Sequence, residues 1–152
     1  MTLPDRLAAV VDDFAAMAPR DRLELLLEYA DGLPDLPERY RDHPELLERV
    51  PECQSPLFLA VEAGAESDAP VRLYFSAPRE SPTTRGFAAI LHAGLDGETA
   101  AAVLDVPAGV LDELRLSEVV SPLRMRGMSS MLTRIQRRVR AARAAADRPT
   151  SG

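Results

Sequence analysis

The chain has 152 residues, is 46% apolar and carries a formal net charge of −6 at pH 7. This length and composition predict one globular domain with enough chain to bury a core, whereas the negative charge disfavours nucleic acid or an anionic membrane as the main partner. No apolar run approaches the length of a membrane span, no secretory signal is visible, and the absence of lysine excludes Schiff-base chemistry on this chain.

Two amphipathic helices are predicted at the start of the chain. The first covers residues 3–17, with Thr2 as its cap and with apolar residues at helical spacing. The second covers residues 19–31 and ends at Gly32. Its predicted apolar face consists of Leu23, Leu26, Leu27 and Ala30.

A Pro-rich, charged segment follows at residues 33–44. Its three prolines forbid a continuous helix, so an ordered loop with one short helical turn is expected. β-rich runs then predict strands at 57–63 and 71–76, joined by a hairpin connection at 64–70. A shorter strand at 48–51 makes a third.

The remainder of the chain is predicted to be helical. Ser81 caps a helix with Pro82 in its first position, short helices follow at 98–104 and 107–114, and Ser121-Pro122 opens the longest helix. The element order predicts an α+β fold, a small antiparallel sheet with helices packed on one face. Residues 1–143 form one predicted domain, and residues 144–152 a flexible tail.

Cys53 is the only cysteine, so it has no partner for an internal disulfide. It lies in a predicted turn between Pro51 and Pro56, flanked by Glu52 and Gln54. A free cysteine is often a buried core residue, whereas a turn can present a reactive thiol to a partner. Both interpretations stay open on these residues alone. A single free thiol suits a reducing compartment, so the cytoplasm is the expected location.

Spacing excludes several thiol chemistries. A phosphatase loop needs arginine six residues after the cysteine, where this chain has Leu59, and a redox pair needs a second cysteine. His43 and His92 are the only candidate bases for a Cys-His hydrolase, and no glycine-rich oxyanion segment accompanies them. No recognisable ligand spacing indicates a metal site.

The last helix carries two groups of arginines with different interpretations. Its C-terminal half has a basic run that could bind RNA or an acidic partner. The net negative charge of the chain and the lack of interleaved aromatic residues instead favour a solvent-exposed face. Near its start, Arg124 and Arg126 stand beside Gly127. A glycine within a helix indicates close approach of a ligand or of another backbone segment. The basic run consists of Arg134, Arg137, Arg138, Arg140 and Arg143.

Five segments, in order along nearly the whole chain, resemble the SufE-type sulfur-acceptor proteins of iron–sulfur cluster assembly. The most specific are the Cys-Gln-Ser triplet at 53–55 and the Ser-Pro-x-Arg-x-x-Gly pattern at 121–127. The five segments are Asp31-Gly32-Leu33-Pro34-Asp35-Leu36, Val50-Pro51-Glu52-Cys53-Gln54-Ser55, Thr84-Arg85-Gly86-Phe87-Ala88-Ala89-Ile90, Leu116-Ser117-Glu118-Val119-Val120-Ser121-Pro122-Leu123-Arg124 and Arg126-Gly127-Met128-Ser129-Ser130-Met131.

The resemblance implies that Cys53 accepts persulfide sulfur from a PLP-dependent cysteine desulfurase of the SufS type, stimulates it, and delivers the sulfur to a SufBCD-type or U-type scaffold. PLP then belongs to the partner, and the chain itself needs no cofactor or metal. It would act as a sulfur-transfer accessory protein, monomeric or weakly dimeric, rather than as a stand-alone enzyme. Arg124 is the implied stabiliser of the thiolate or persulfide. The implied partner-binding residues are Glu52, Gln54, Ser55, Glu80, Arg85, Arg126 and Gly127.

The chain departs from the family pattern at three places. Glu52 precedes the cysteine where the family commonly has glycine, Leu57-Phe58 replaces a common tryptophan, and Arg79-Glu80-Ser81-Pro82 replaces a more acidic run. Two rival functions remain: an adaptor that activates a desulfurase without carrying sulfur, and a Cys-His hydrolase.

Overall fold

The computed structural model describes residues 3–147 and has the α+β architecture expected from the sequence. Six α-helices and three β-strands are labelled here in chain order, and short 3-10 helices occur at Pro44–Leu46, Ala108–Leu114 and Leu116–Glu118. The labelled elements are α1 (Asp5–Ala15), α2 (Pro19–Asp31), α3 (Glu38–Arg41), β1 (Glu48–Arg49), β2 (Phe58–Glu62), β3 (Arg72–Ser76), α4 (Pro82–Leu95), α5 (Ala100–Asp105) and α6 (Pro122–Asp147).

The three strands form one antiparallel sheet in the order β1-β2-β3. Glu48 pairs with Leu59 at the β1–β2 junction, and Leu59 in turn pairs with Phe75 of β3. Because side chains alternate between the two faces of a strand, the buried Leu59 and Phe75 lie on the same face. That face packs against α4 and α6. Both strand connections are hairpins, so the segment 50–57 is a loop held at the edge of the sheet.

α4 is the central helix, and α1 and α2 both pack on it. The close approach depends on two glycines. A Cβ placed on Gly86 would lie 2.6 Å from Leu26 Cδ1 and 2.7 Å from the Leu26 carbonyl oxygen, and one on Gly94 would lie 2.7 Å from Leu7 Cδ1. Carbon atoms cannot approach that closely, so the bare backbone of α4 determines how near α1 and α2 can lie.

α6 closes the core from the side of the sheet. Its apolar stripe is fully buried, as its helical spacing predicts. The same helix therefore carries a core face and, beside it, the residues that meet the 50–57 loop. The stripe consists of Met128, Met131, Leu132, Ile135 and Val139.

The Pro-rich segment is an ordered loop with one helical turn, α3, as expected. Tyr40 of α3 packs on Tyr74 with ring centroids 4.9 Å apart, and Arg39 donates to Glu62 Oε2 over 2.8 Å. Tyr74 alternates with the core-facing Leu73 and Phe75 along β3, so α3 covers part of the second face of the sheet.

The apolar face predicted for α2 is wrong in part. Leu26 and Ala30 are buried, but Leu23 and Leu27 are exposed, and Arg22 is buried instead. Arg22 is stabilised there because its Nε donates to the Phe14 carbonyl over 2.9 Å and its guanidinium pairs with Glu118. Because these partners satisfy the guanidinium, Arg22 can be buried, and α2 is oriented with Leu23 and Leu27 towards solvent.

The ends of the first and last helices also differ from the sequence-based bounds. α1 begins at Asp5 with Pro4 in the capping position, and the proposed cap Thr2 lies outside the described residues. α6 continues through Asp147, so residues 144–147 of the segment expected to form a tail are helical, and residues 148–152 lie outside the described part.

Among residues 3–147, no helix has the length and apolarity needed to cross a membrane. Within the same range, no group of three or more histidine, cysteine or acidic side chains is arranged to hold a metal ion.

We predict that Gly86→Ala destabilises the protein by about 1–3 kcal/mol, the usual cost of overpacking. The methyl group would collide with the Leu26 carbonyl, which cannot rotate away as a side chain can. The free energy of unfolding in urea measures the effect. Gly109→Ala is the matched control, since a Cβ there meets nothing within 4 Å. Equal stability of the two variants would contradict the predicted collision.

Candidate functional site

Cys53 lies in the loop that joins β1 to β2. The loop is anchored at both ends by fully buried residues, Val50 and Leu57, and the Val50 N–H donates to the Leu57 carbonyl over 2.9 Å. Within the loop, the Cys53 N–H donates to the Val50 carbonyl over 3.1 Å. These bonds fold residues 51–56 into a tight turn and aim the cysteine at the core rather than at solvent.

The thiol packs directly on the backbone of α6. A Cβ placed on Gly127 would lie 3.1 Å from Cys53 Sγ and 3.5 Å from Cys53 Cα. Any larger side chain at position 127 would occupy the space that the sulfur now fills. The glycine inside α6 is therefore explained by close approach of a second backbone segment, one of the two interpretations open from the sequence.

Little free space remains around the sulfur. Only 7% of the Cys53 surface is exposed, and the cavity beside the thiol has a volume of about 10 Å³. That volume is at the lower limit for a single water molecule, and a sulfur atom is larger than water. A second sulfur bonded to Cys53 therefore requires the loop to move. The cavity is lined by Glu52, Cys53, Gln54, Thr84, Phe87, Arg124 and Gly127.

The electrostatic environment keeps the thiol protonated. Burial is the largest cause, the neighbouring Glu52 carboxylate adds to it, and together they raise the pKa of Cys53 to about 11, while Arg134 acts in the opposite direction. Since the thiolate is the nucleophile, the closed loop holds Cys53 in its unreactive form at neutral pH.

Arg134 of α6 connects the loop to the sheet. Its Nη2 donates to both Glu52 carboxylate oxygens, over 3.0 and 3.2 Å, and its Nη1 pairs with Glu48 of β1. Arg138, one turn further along α6, donates to the other oxygen of Glu48 over 2.7 Å. Arg134 holds the pKa of the Glu52 carboxyl below its usual range, chiefly through these hydrogen bonds.

Four residues predicted for the site line the cavity with Cys53: Glu52, Gln54, Arg124 and Gly127. Ser55 lies half-buried in the same loop, and Arg126 is exposed on α6 beside Gly127. The role assigned to Arg124 stays a prediction, and the cation that acts on the thiol's pKa in this structure is Arg134.

The other two predicted residues lie apart from this cavity. Glu80 is exposed in the connection between β3 and α4. Arg85 donates to the Ala77 carbonyl over 2.8 Å and lines a separate cavity with Asp31 and Asp35. The contact of Glu80 and Arg85 with a partner stays a prediction, and neither residue lines the Cys53 cavity.

Neither histidine lines the Cys53 cavity. His43 is exposed and contacts Glu45 over 3.0 Å, and His92 lies on α4 with Asp96 3.7 Å from its Nε2. The histidine base that a Cys-His hydrolase needs is therefore not beside the thiol in the part of the chain that the structure describes.

Sequence reasoning missed three residues of the site: Thr84, Phe87 and Arg134. Thr84 and Phe87 belong to the 84–90 segment that carries part of the family resemblance, and this segment could have indicated them. Arg134 offered no such signal, because it is 82 residues from Glu52 in the chain and looks like one more member of a basic run.

Comparison with known proteins gives a family match over most of the chain. Residues 8–139 match the family model described as SufE, Fe-S metabolism associated domain. An uncharacterized SufE-like protein of Mycobacterium tuberculosis is 55% identical over 141 residues, which cover 93% of this chain and 96% of that protein.

Two further proteins extend the comparison. A hypothetical protein from Thermus thermophilus, known from a solution structure, superposes with a TM-score of 0.77 at 41% identity, covering 93% of this chain and 98% of that one. The chloroplastic quinolinate synthase of Nicotiana tabacum is 31% identical over 140 residues, which are 90% of this chain but 18% of that protein.

We predict that Cys53 in the folded protein reacts slowly with iodoacetamide at pH 7.4, about a hundredfold or more below the rate in urea, where an exposed thiol titrates near 8.5. The rate should rise about tenfold per pH unit towards pH 11, because the raised pKa lowers the thiolate fraction at every lower pH. Intact mass spectrometry measures the adduct. A plateau near pH 8.5 in the folded protein would contradict the buried thiol.

We predict that Gly127→Ala makes the thiol more reactive without destabilising the fold. The new methyl group pushes on Sγ, and a strain of about 1 kcal/mol in the closed loop raises the open fraction about fivefold. The better helix propensity of alanine, about 1 kcal/mol, offsets the strain in the free energy of unfolding. Alkylation rates and urea titrations check both parts. Reactivity equal to that of Gly109→Ala would disprove the contact.

Proposed function

This chain belongs to the SufE family, and from that premise we propose that Cys53 accepts sulfur from the persulfide of a PLP-dependent cysteine desulfurase and delivers it to an iron–sulfur cluster scaffold. Membership of the family implies a cysteine desulfurase as partner in iron–sulfur metabolism. The carrier role, the scaffold of the SufBCD or U type, stimulation of the desulfurase and a cytoplasmic location are the finer parts of the proposal.

The observation that carries the proposal is the position of the lone thiol. Cys53 is the only cysteine of the chain, and it lies in a loop anchored at both ends and closed over a glycine. The thiol lies in a loop that contains two prolines, Pro51 and Pro56, and packs on Gly127 in the second turn of α6. A loop of this kind can present one side chain to a partner while the rest of the fold stays fixed.

The proposed chemistry is thiol–disulfide exchange. The Cys53 thiolate attacks the outer sulfur of the donor persulfide, a new S–S bond forms on Cys53, and the donor cysteine leaves as a thiolate with the electron pair. The Cys53 proton passes to solvent or to a base of the partner. The second transfer has the same form, since an acceptor thiolate attacks the outer sulfur and Cys53 leaves as a thiolate. Neither step needs an oxidant, a reductant or a cofactor of this chain.

The closed loop accounts for protection, and its opening accounts for reactivity. In the closed state the thiol is buried, its pKa is about 11, and the cavity cannot hold a second sulfur. We therefore expect both transfers to occur with the loop displaced from Gly127. Arg124 lines the cavity and is the cation proposed to stabilise the thiolate or the persulfide once the loop has opened.

The partner surface is proposed to surround the loop. Gln54 and Arg126 are exposed and Ser55 is half-exposed around Cys53, and together with Glu52 and Gly127 they would be covered on docking. Glu80 and Arg85 would contribute from the β3–α4 side. Monomer or weak homodimer remains the expected state of the free protein.

The test is formation of a persulfide on Cys53. We expect incubation with cysteine and a SufS-type desulfurase to add one sulfur atom to the intact mass of the wild-type protein and none to Cys53→Ser. The adduct should disappear on treatment with a thiol reductant. Lack of the adduct with catalytically active desulfurases would overturn the carrier role.

Desulfurase turnover in the same reactions separates the carrier from the adaptor. A carrier accelerates sulfide or alanine production only with its thiol intact, so Cys53→Ser should lose the stimulation. Full stimulation by Cys53→Ser would instead establish an adaptor that activates the desulfurase without carrying sulfur.

A further inference from the structure

We propose that Arg134 is a positioning residue for Cys53, which holds the thiol loop closed by binding Glu52. This role rests on Cys53 being the sulfur carrier, as proposed above, but the contacts that define it belong to the free protein.

Arg134 bridges the sheet and the thiol loop. Arg134 is fixed on one side by Glu48, a residue of the sheet, and on the other side binds Glu52, a residue of the loop. Val50 and Leu57 anchor the two ends of the loop. Between these ends, the loop is attached to α6 by the packing of Cys53 and by the hydrogen bonds between Glu52 and Arg134. When the Glu52–Arg134 pair separates, residues 51–56 lose these hydrogen bonds while Glu48 keeps Arg134 in place.

The Arg134 side chain is only 17% exposed, whereas Glu52 is 43% exposed. Arg134 Nε is buried without a protein hydrogen-bond partner among the described residues. The guanidinium thus occupies its place because of its two carboxylate partners, at the cost of one unsatisfied donor. Glu52 is the partner free to leave, because it is the more exposed of the two and lies in the loop.

The charged groups that face Cys53 are Glu52 of its own loop and, from α6, Arg134 and Arg124. Glu52 alone would place a negative charge beside a group that must itself become negative. Arg134 neutralises that charge while the loop is closed. In the closed loop the two side chains therefore act on the thiol in opposite directions.

The experiment measures iodoacetamide alkylation of the protein alone, at one pH below 8, in four proteins: wild type, Arg134→Gln, Glu52→Gln and the double variant. We expect Arg134→Gln to react about 1.5- to fivefold faster than wild type, the factor for loss of one partly exposed ion pair. In the Glu52→Gln background the same substitution should give no increase, because the pair is already absent.

Salt provides a readout that a packing role would not change. Salt screens the attraction between Arg134 and the partly exposed Glu52. The alkylation rate of the wild-type protein should therefore rise between low and high NaCl, and this rise should vanish in Arg134→Gln and in Glu52→Gln. If Arg134→Gln does not fold, Glu52→Gln and the salt series still decide the matter. Circular dichroism and urea titration check the folding of each variant.

Arg138→Gln is the matched control. Arg138 lies one turn from Arg134 and shares Glu48, but it has no hydrogen bond to Glu52 and is 56% exposed. Its substitution should leave the alkylation rate and its salt dependence unchanged. An equal effect of Arg138→Gln, or an equal effect of Arg134→Gln in both backgrounds, would overturn the proposal. Because no desulfurase is present, failure of persulfide formation and failure of this role are separate results.

Discussion

The contact between Cys53 and the bare backbone of Gly127 determines how the site is built. At 3.1 Å from the position of a Cβ, the sulfur takes the place that a side chain would fill on any other helical residue. Burial of the thiol and the small cavity follow from this approach, and burial is the largest cause of the raised pKa of Cys53. The loop can close because Gly127 leaves a gap on the helix, and the buried apolar stripe beside the gap, which includes Met128 and Met131, holds α6 against the core.

The same contact creates a conflict between protection and reaction. A thiol held below the surface is shielded from alkylation and oxidation, but it is also a poor nucleophile. The structure divides the two demands between rigid and displaceable parts. Val50, Leu57 and the sheet form the rigid part, whereas residues 51–56 are held by the Cys53 packing, the Cys53–Val50 hydrogen bond and the Glu52–Arg134 pair. An ion pair suits such a contact because it is weak enough to exchange for water or for a partner's groups.

Much of the fold followed from local patterns, and the exceptions share one physical cause. The start of α4 at Pro82, the α6 stripe and the β2–β3 hairpin were predictable because their signals lie within a few residues. The buried Arg22 was not, because it depends on Phe14 and Glu118, the latter 96 residues away. Arg134 is similar. The sequence predicts a solvated face for its basic run, whereas in the folded chain Arg134 binds Glu48 and Glu52. In the site, Cys53 and Gly127 were recognisable in advance, whereas their electrostatic setting was not.

The two anchors of the Cys53 loop also limit how far its cargo can travel. Cys53 is three positions after Val50 and four positions before Leu57, and the Val50–Leu57 hydrogen bond keeps both arms starting from one point. At 3.3–3.6 Å per extended residue, the shorter arm reaches roughly 10 Å from its base. In the proposed carrier role, sulfur on this tether would not be swung between distant active sites. A donor and an acceptor would each bring a cleft to the tip of the hairpin, so they would compete for one surface and visit it in turn.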